Sequence, residues 1–307
     1  MAFTAQDVKN LREMTGVGMM DCKKALVATD GDADKAVDWL REKGLAAAQK
    51  KSGRIAAEGA AYAEVIDGVG VVVEVNAETD FVSKNDLFVD FTKAVAAVVA
   101  KENPADVTAL LACKYPGSEL TVEQMQQEKV LVIGENIKVR RFARYDTGLS
   151  IPYVHMGGRI GVIINMNVAE GLENNETVIE LGRDLSMQIA AMNPSFRDKS
   201  DVDQSVIEKE KEILTIQAHE DPKNANKPAN IIEKMVLGRV GKYYEENCLM
   251  QQDFVKGDKI TVEKHVAEVA KAVGGKIEVL GFTRFEKGEG IEKRQDDFAA
   301  EIASLVK

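Results

Sequence analysis

An internal repeat constrains this chain more than any other feature of its sequence. "GVVVEVN" at 70–76 matches "GVIINMN" at 161–167, an offset of 91 residues. Each run follows a short alternating stretch and a turn: "AAYAEVI" then Asp67-Gly68 in the first copy, "IPYVHM" then Gly157-Gly158 in the second. Such stretches read as strands, and Asp-Gly and Gly-Gly are hairpin-turn pairs. A helical pattern closed by Asn-Pro comes next, "FVDFTKAVAAVVAKENP" and "VIELGRDLSMQIAAMNP", now 90 residues apart. Further on, "GENIKVRRFARY" at 134–145 pairs with "GGKIEVLGFTRF" at 274–285, an offset of 140, so that Ile137, Val139, Phe142 and Arg144 recur as Ile277, Val279, Phe282 and Arg284. Each copy reads hairpin, helix, helix, strand, and the second carries about 50 extra residues between its halves.

The extra residues lie near 197–250. "DVDQSVIEKEKEILTIQAHE" and "NIIEKMVLGRVGKYYEEN" are helical in pattern and flank the turn-rich "DPKNANKP", which predicts an αα-hairpin that projects from the body. The tail, "EGIEKRQDDFAAEIASLVK", predicts one last amphipathic helix. The first 50 or so residues predict a three-helix bundle. Thr4 and Asp7 are spaced to cap the first helix, Gly16 and Gly18 break it from the second, Asp32 caps the third, and Gly44 loosens the end of the third. Met19 and Met20 follow the glycine turn. Consecutive helical residues point about 100° apart, so at least one of the pair faces solvent; docking beside Arg12 and plain packing both remain open.

Acidic residues outnumber basic ones, 50 to 40, for a formal charge of −10 over 307 residues. That balance argues against general nucleic-acid binding, which depends on neutralising phosphates. The run "KKSGR" at 50–54 reads as a solvated linker or, at most, a local basic face. Cys22, Cys113 and Cys248 are scattered, as are His155, His219 and His265; neither a disulfide framework nor a zinc site follows, and a reducing cytosol is expected. The N-terminus lacks the pattern of a signal peptide.

Enzyme signatures are missing. There is no G-x-S-x-G and no P-loop. "GGRIG" at 157–161 precedes a strand, whereas a phosphate loop follows a strand and opens a helix. The repeat directs attention elsewhere. The loop leaving the first hairpin is "AETDFVSKN" and its twin is "VAEGLENNE". The scaffold recurs but Thr79, Asp80, Phe81 and Val82 do not, and a loop that departs from its twin is a candidate for function. The competing reading folds Phe81 back into the core.

"LREMTGVGMMDCKKAL", "NAETDFVSKN", "GENIKVRR" and "RFEKGEGIEK", in that order and spacing, resemble the bacterial elongation factor Ts family across essentially the whole chain. The resemblance implies an α+β fold with a ubiquitin-associated-like three-helix domain over 1–54 and a core subdomain over 55–146. A second core subdomain would be split into 147–196 and 251–286 by a coiled-coil, dimerisation-type hairpin at 197–250, and a C-terminal helical module would cover 287–307. It implies a guanine-nucleotide exchange factor for elongation factor Tu, acting by binding rather than bond chemistry. No cofactor, metal, direct nucleic acid or membrane is implied. Positions matching Arg12, Met19 and Met20 would dock on the partner's nucleotide-binding domain, and those matching Asp80 and Phe81 would reach toward the nucleotide site. Thr79 and Val82, which flank them in the same loop, are expected partner contacts as well. Ile133 and His155 match further contact positions. Assembly into a homodimer or a heterotetramer through the insert stays open. The rivals are an adaptor that docks without promoting exchange and a small-molecule enzyme using the glycine-rich turns.

Overall fold

The computed structural model describes residues 3–224, 227–257 and 259–292. The expected C-terminal helix lies, from 293 on, outside the described residues. The N-terminal bundle consists of α1 (Ala5–Thr15), α2 (Met19–Ala28) and α3 (Ala33–Lys51). Thr4 caps α1 through a reciprocal box: its amide donates to Asp7 Oδ2 at 2.7 Å and the Asp7 amide donates to Thr4 Oγ1 at 3.3 Å. Asp32 accepts from the Lys35 amide at 3.1 Å. Val8, Leu11, Leu26 and Leu40 close the small core.

The third helix departs from expectation. It runs through Gly44 to Lys51 instead of loosening there. Gly44 is tolerated mid-helix because α3 crosses α6 (Val122–Ile133) at that point; a Cβ on Gly44 would stand 3.5 Å from the Gln127 carbonyl oxygen. The basic run at 50–54 is therefore not a free linker. Lys50 and Lys51 occupy the last turn of α3, where cations complement the helix dipole, and Lys51 Nζ donates to the Val130 carbonyl of α6 at 3.5 Å.

The repeat folds as two three-stranded antiparallel sheets. The first is β1 (Glu58–Ile66), β2 (Val69–Ala77) and β3 (Lys138–Tyr145); the second is β4 (Leu149–His155), β5 (Ile160–Val168) and β6 (Ile277–Glu286), each in chain order. The turns adopt left-handed backbone at Asp67-Gly68 and Gly157-Gly158, as their sequences predict, and Met156, read as part of the preceding strand, joins the second turn at φ 47°. Two helices, α4 (Asp86–Glu102) and α7 (Glu176–Met192), match in detail: Asn85 and Asn175 cap their starts, and Asn103 and Asn193 end them with identical φ 47°, ψ 54°. Both middle strands carry a register shift at equivalent places, Glu74/Val75 and Asn165/Met166.

The two sheets pack face to face between helices. Val71, Val73 and Val75 of β2 face Phe88, Phe91, Val95 and Val99 of α4, together with residues of α5 (Val107–Ala112) and α6. Val162, Ile164 and Met166 of β5 face Leu181, Leu185 and Ile189 of α7 and Val262 and Val266 of α10 (Val262–Val273). The alternate residues Val72 and Ile163 meet Ala61, Ala63 and Phe285 between the sheets. Strands buried on both faces read as continuous apolar runs, which is why the repeat is so visible. Close approach needs small residues. A Cβ on Gly70 would lie 2.5 Å from Ser150 Cβ, and one on its counterpart Gly161 would lie 3.0 Å from the Ala61 carbonyl carbon. Gly70→Val is expected to destabilise by about 1–3 kcal/mol through overpacking, readable as a lowered denaturation midpoint.

The insert forms α8 (Gln204–Glu220) and α9 (Ala229–Asn247), zipped by Ile207, Leu214, Ile232, Val236 and Val240. The amides of Ser195 and Phe196 donate to the Asn247 carbonyl and join the hairpin's two ends at the body. No helix among the described residues is long and apolar enough to cross a membrane.

Candidate functional site

The loop between β2 and α4 is built from both ends. At its exit Val82 is only 8% exposed and anchors in the first core. Its twin, Leu172, packs against the second core. Between strand and anchor the first copy holds Glu78-Thr79-Asp80-Phe81 and the second only Ala169-Glu170-Gly171. That single extra residue accounts for the change of offset from 91 to 90.

At its entrance the loop is held by Glu135. The amides of Glu78 and Thr79 both donate to Glu135 Oε2 at 3.0 Å, and the Thr79 hydroxyl donates to Oε1 at 2.7 Å. The grip is reciprocal: the Asn136 amide donates to Glu78 Oε1 at 2.6 Å, while Asn136 Nδ2 donates to the Arg54 carbonyl at 2.8 Å. Glu135 reaches this position because Gly134, with φ +88°, ends α6 and turns the chain toward β3.

Between the two anchors Phe81 is 83% exposed with ordinary helical backbone angles. The core reading of Phe81 is therefore overturned. Its neighbourhood is a cleft of about 1050 Å³ lined by residues including Arg54, Thr79, Asp80, Phe81, Arg159 and Lys287. One wall is the turn after β6, fastened to the first sheet by a buried ion cluster. Glu74, fully buried on the inter-sheet face of β2, accepts from Arg140 Nη1 at 2.9 Å, Arg141 Nε at 2.5 Å, Asn76 Nδ2 at 3.0 Å and the Gly288 amide at 2.8 Å. Burial alone would raise the Glu74 carboxyl's pKa; the donors from Gly288, Asn76, Arg140 and Arg141 outweigh it and hold the group below its usual value. Gly288 has φ +70°, and a Cβ there would stand 2.0 Å from the Ala57 carbonyl oxygen.

The other residues singled out in the sequence lie elsewhere. Arg12 is exposed in the last turn of α1, and Met19 and Met20, 46% and 63% exposed, open α2. Met14, which the sequence reading passed over, is exposed nearby on α1. None of the four lines the cleft. Ile133 ends α6, partly buried against the first core. His155 ends β4 with Nδ1 2.8 Å from the Tyr153 hydroxyl. Sequence reasoning missed Glu135, although a signal existed: its counterpart in the second copy is Gly275.

The family model described as Elongation factor TS matches residues 78–289. The chain is 46% identical to the elongation factor Ts of Syntrophotalea carbinolica over the full length of both chains. It is 48% identical to that of Clostridium perfringens over 99% of both. The matched region opens on the residues gripped by Glu135 and closes just past the turn held by Glu74, so it spans both walls of the cleft, and with full-length relatives near half identity the chain belongs to the elongation factor Ts family.

Proposed function

We propose that this protein is a guanine-nucleotide exchange factor for elongation factor Tu in translation elongation, and that the loop carrying Asp80 and Phe81 promotes GDP release. The observation that carries the reading is Phe81 itself: a large apolar ring held in solvent by a loop pinned at both ends. A ring so placed costs free energy in the isolated protein and is repaid when a partner covers it.

The mechanism is coupling. A GTPase holds its nucleotide through backbone donors to phosphate and through a bridging Mg²⁺. Insertion of Phe81 between partner helices, with Asp80 beside it, disturbs those contacts. By linkage the nucleotide weakens the factor's grip as much as the factor weakens the nucleotide's. A thousandfold loss of nucleotide affinity requires about 4 kcal/mol of differential binding. One phenylalanine supplies roughly 1.5–3 kcal/mol on burial, so further contacts are needed. Arg12, Met19 and Met20 provide a docking face on the partner's nucleotide-binding domain, with unbranched, adaptable methionines suited to it; Thr79 supports the loop, and Ile133 and His155 add contacts. Val82 takes part as the loop's anchor. The helical hairpin offers a surface for a homodimer or heterotetramer.

The decisive measurement is release of fluorescent GDP from purified elongation factor Tu with and without this protein. Acceleration is the expected result; binding without acceleration would leave an adaptor in its place. Met20→Ala is expected to weaken association with nucleotide-free elongation factor Tu about threefold to tenfold, on the scale of partial burial of one side chain, with little change in melting temperature, since Met20 is largely exposed. Unchanged affinity by calorimetry would remove Met20 from the docking face.

A further inference from the structure

We infer that Glu135 is a positioning residue for Phe81: its carboxylate fixes the loop so that the ring is presented in one orientation before the partner arrives. The inference rests on the exchange reading above and deepens it. Three differences between the two copies coincide. Where the first has Phe81 the second has Gly171, in left-handed backbone at φ +87°. Where the first has the Thr79 hydroxyl the second has Ala169, and where the first has Glu135 the second has Gly275. A Cβ on Gly275 would lie 2.6 Å from Leu172 Cδ1 and 3.0 Å from Ala169 Cβ. The shorter loop thus closes over the space that the Glu135 side chain occupies in its twin. Clamp, hydroxyl and ring occur together or not at all.

The chemistry fits a positioning task. A loop lacks the ladder of a strand, so its amides need other acceptors. One carboxylate takes two successive backbone amides and a hydroxyl, and hydrogen bonds to a charged acceptor are about twice as strong as neutral ones. The Glu78 carboxylate ties the same segment back to the Asn136 amide. The clamp touches the two residues immediately before Asp80-Phe81, whose own carbonyls accept from the Ser83 hydroxyl and the Lys84 amide, and leaves the Asp80 and Phe81 side chains outside it. Holding an apolar ring in its bound orientation lowers the ordering cost of association.

The experiment uses full-length Glu135→Ala, Glu135→Gln and Thr79→Val proteins, each alone and combined with Phe81→Ala. GDP release and hydrogen exchange of the peptide covering 78–84 are both measured. Glu135→Ala is expected to slow stimulated GDP release about tenfold, the scale of a lost charge-assisted hydrogen bond, while the Glu78 and Thr79 amides lose protection. Glu135→Gln, which keeps an acceptor oxygen, is expected to recover part of both. In the Phe81→Ala background the Glu135→Ala change is expected to alter release less than twofold, because it acts through the missing ring. Lost amide protection with release unchanged, or an undiminished tenfold effect without Phe81, would overturn the positioning role and leave the exchange function standing. Wild-type protein that fails to accelerate release would overturn the exchange reading and this inference with it.

Discussion

Phe81→Ala is expected to reduce stimulated GDP release by roughly 10–100-fold while leaving the melting temperature within about 2 °C of wild type. The rate figure is the roughly 1.5–3 kcal/mol of one buried phenylalanine expressed at about 1.4 kcal/mol per tenfold. The stability figure follows from exposure: a ring 83% in solvent contributes almost nothing to the core, and surface substitutions of this kind stay within about 0.5 kcal/mol. The two readouts oppose each other cleanly. A mutant that exchanges normally but melts several degrees early would mean that the ring packs in solution and has no part in exchange.

The second large effect concerns the joint between the sheets. Glu74→Ala removes the acceptor shared by Arg140, Arg141, Asn76 and Gly288. Removing one partner of a buried ion cluster costs about 3–5 kcal/mol when the remaining charge is fully enclosed. Here Arg140 and Arg141 keep about a quarter to a third of their side-chain surface in water, so about 2–3 kcal/mol is expected, a fall of roughly 4–10 °C. The pH dependence has a definite sign. The folded-state pKa of Glu74 lies below its ordinary value, so its contribution is present above the ordinary glutamate value of about 4.3 and is lost as pH falls through the lower, folded value. Glu74→Gln keeps the shape and is expected to flatten that acid limb. An unaltered acid limb in urea titrations between about pH 5 and pH 2 would show that the cluster does not couple folding to protonation.

The repeat made most of this architecture legible. Hairpin turns, paired helices and the interrupted second copy are written as spacings, and the structure returns the same asparagine caps in both copies. The helical end of α3 was not legible, because Gly44 reads locally as a terminator and only the crossing with α6 makes it an interior residue. The buried charge was equally hidden. Glu74 stands in "GVVVEVN" like a solvent-facing residue, and only the second sheet, arriving on that side, encloses it. Its counterpart Asn165, also buried, is the trace left in the sequence: a polar residue retained twice within an apolar run. At the candidate site, comparison of the copies isolated the loop from 79 to 82, but the carboxylate holding it lies more than fifty residues downstream. Pairing at that distance leaves no periodicity to read.

Helix α6 has one more consequence. Its flank carries the N-terminal bundle, through the Gly44 crossing, the Lys51 bond to Val130 and an Arg41–Glu128 ion pair. Its C-terminal end delivers Glu135 to the loop of Phe81. Twelve residues, about 18 Å of helix, thus serve as a single strut between the bundle and the loop, the two surfaces proposed above to touch the partner. When either element touches a partner, the other is held near it at a local concentration set by the strut and not by diffusion. On the proposed docking, two individually weak contacts would then act as one strong one. A change that only loosened the seam between α3 and α6 would weaken binding without altering any residue at the interface.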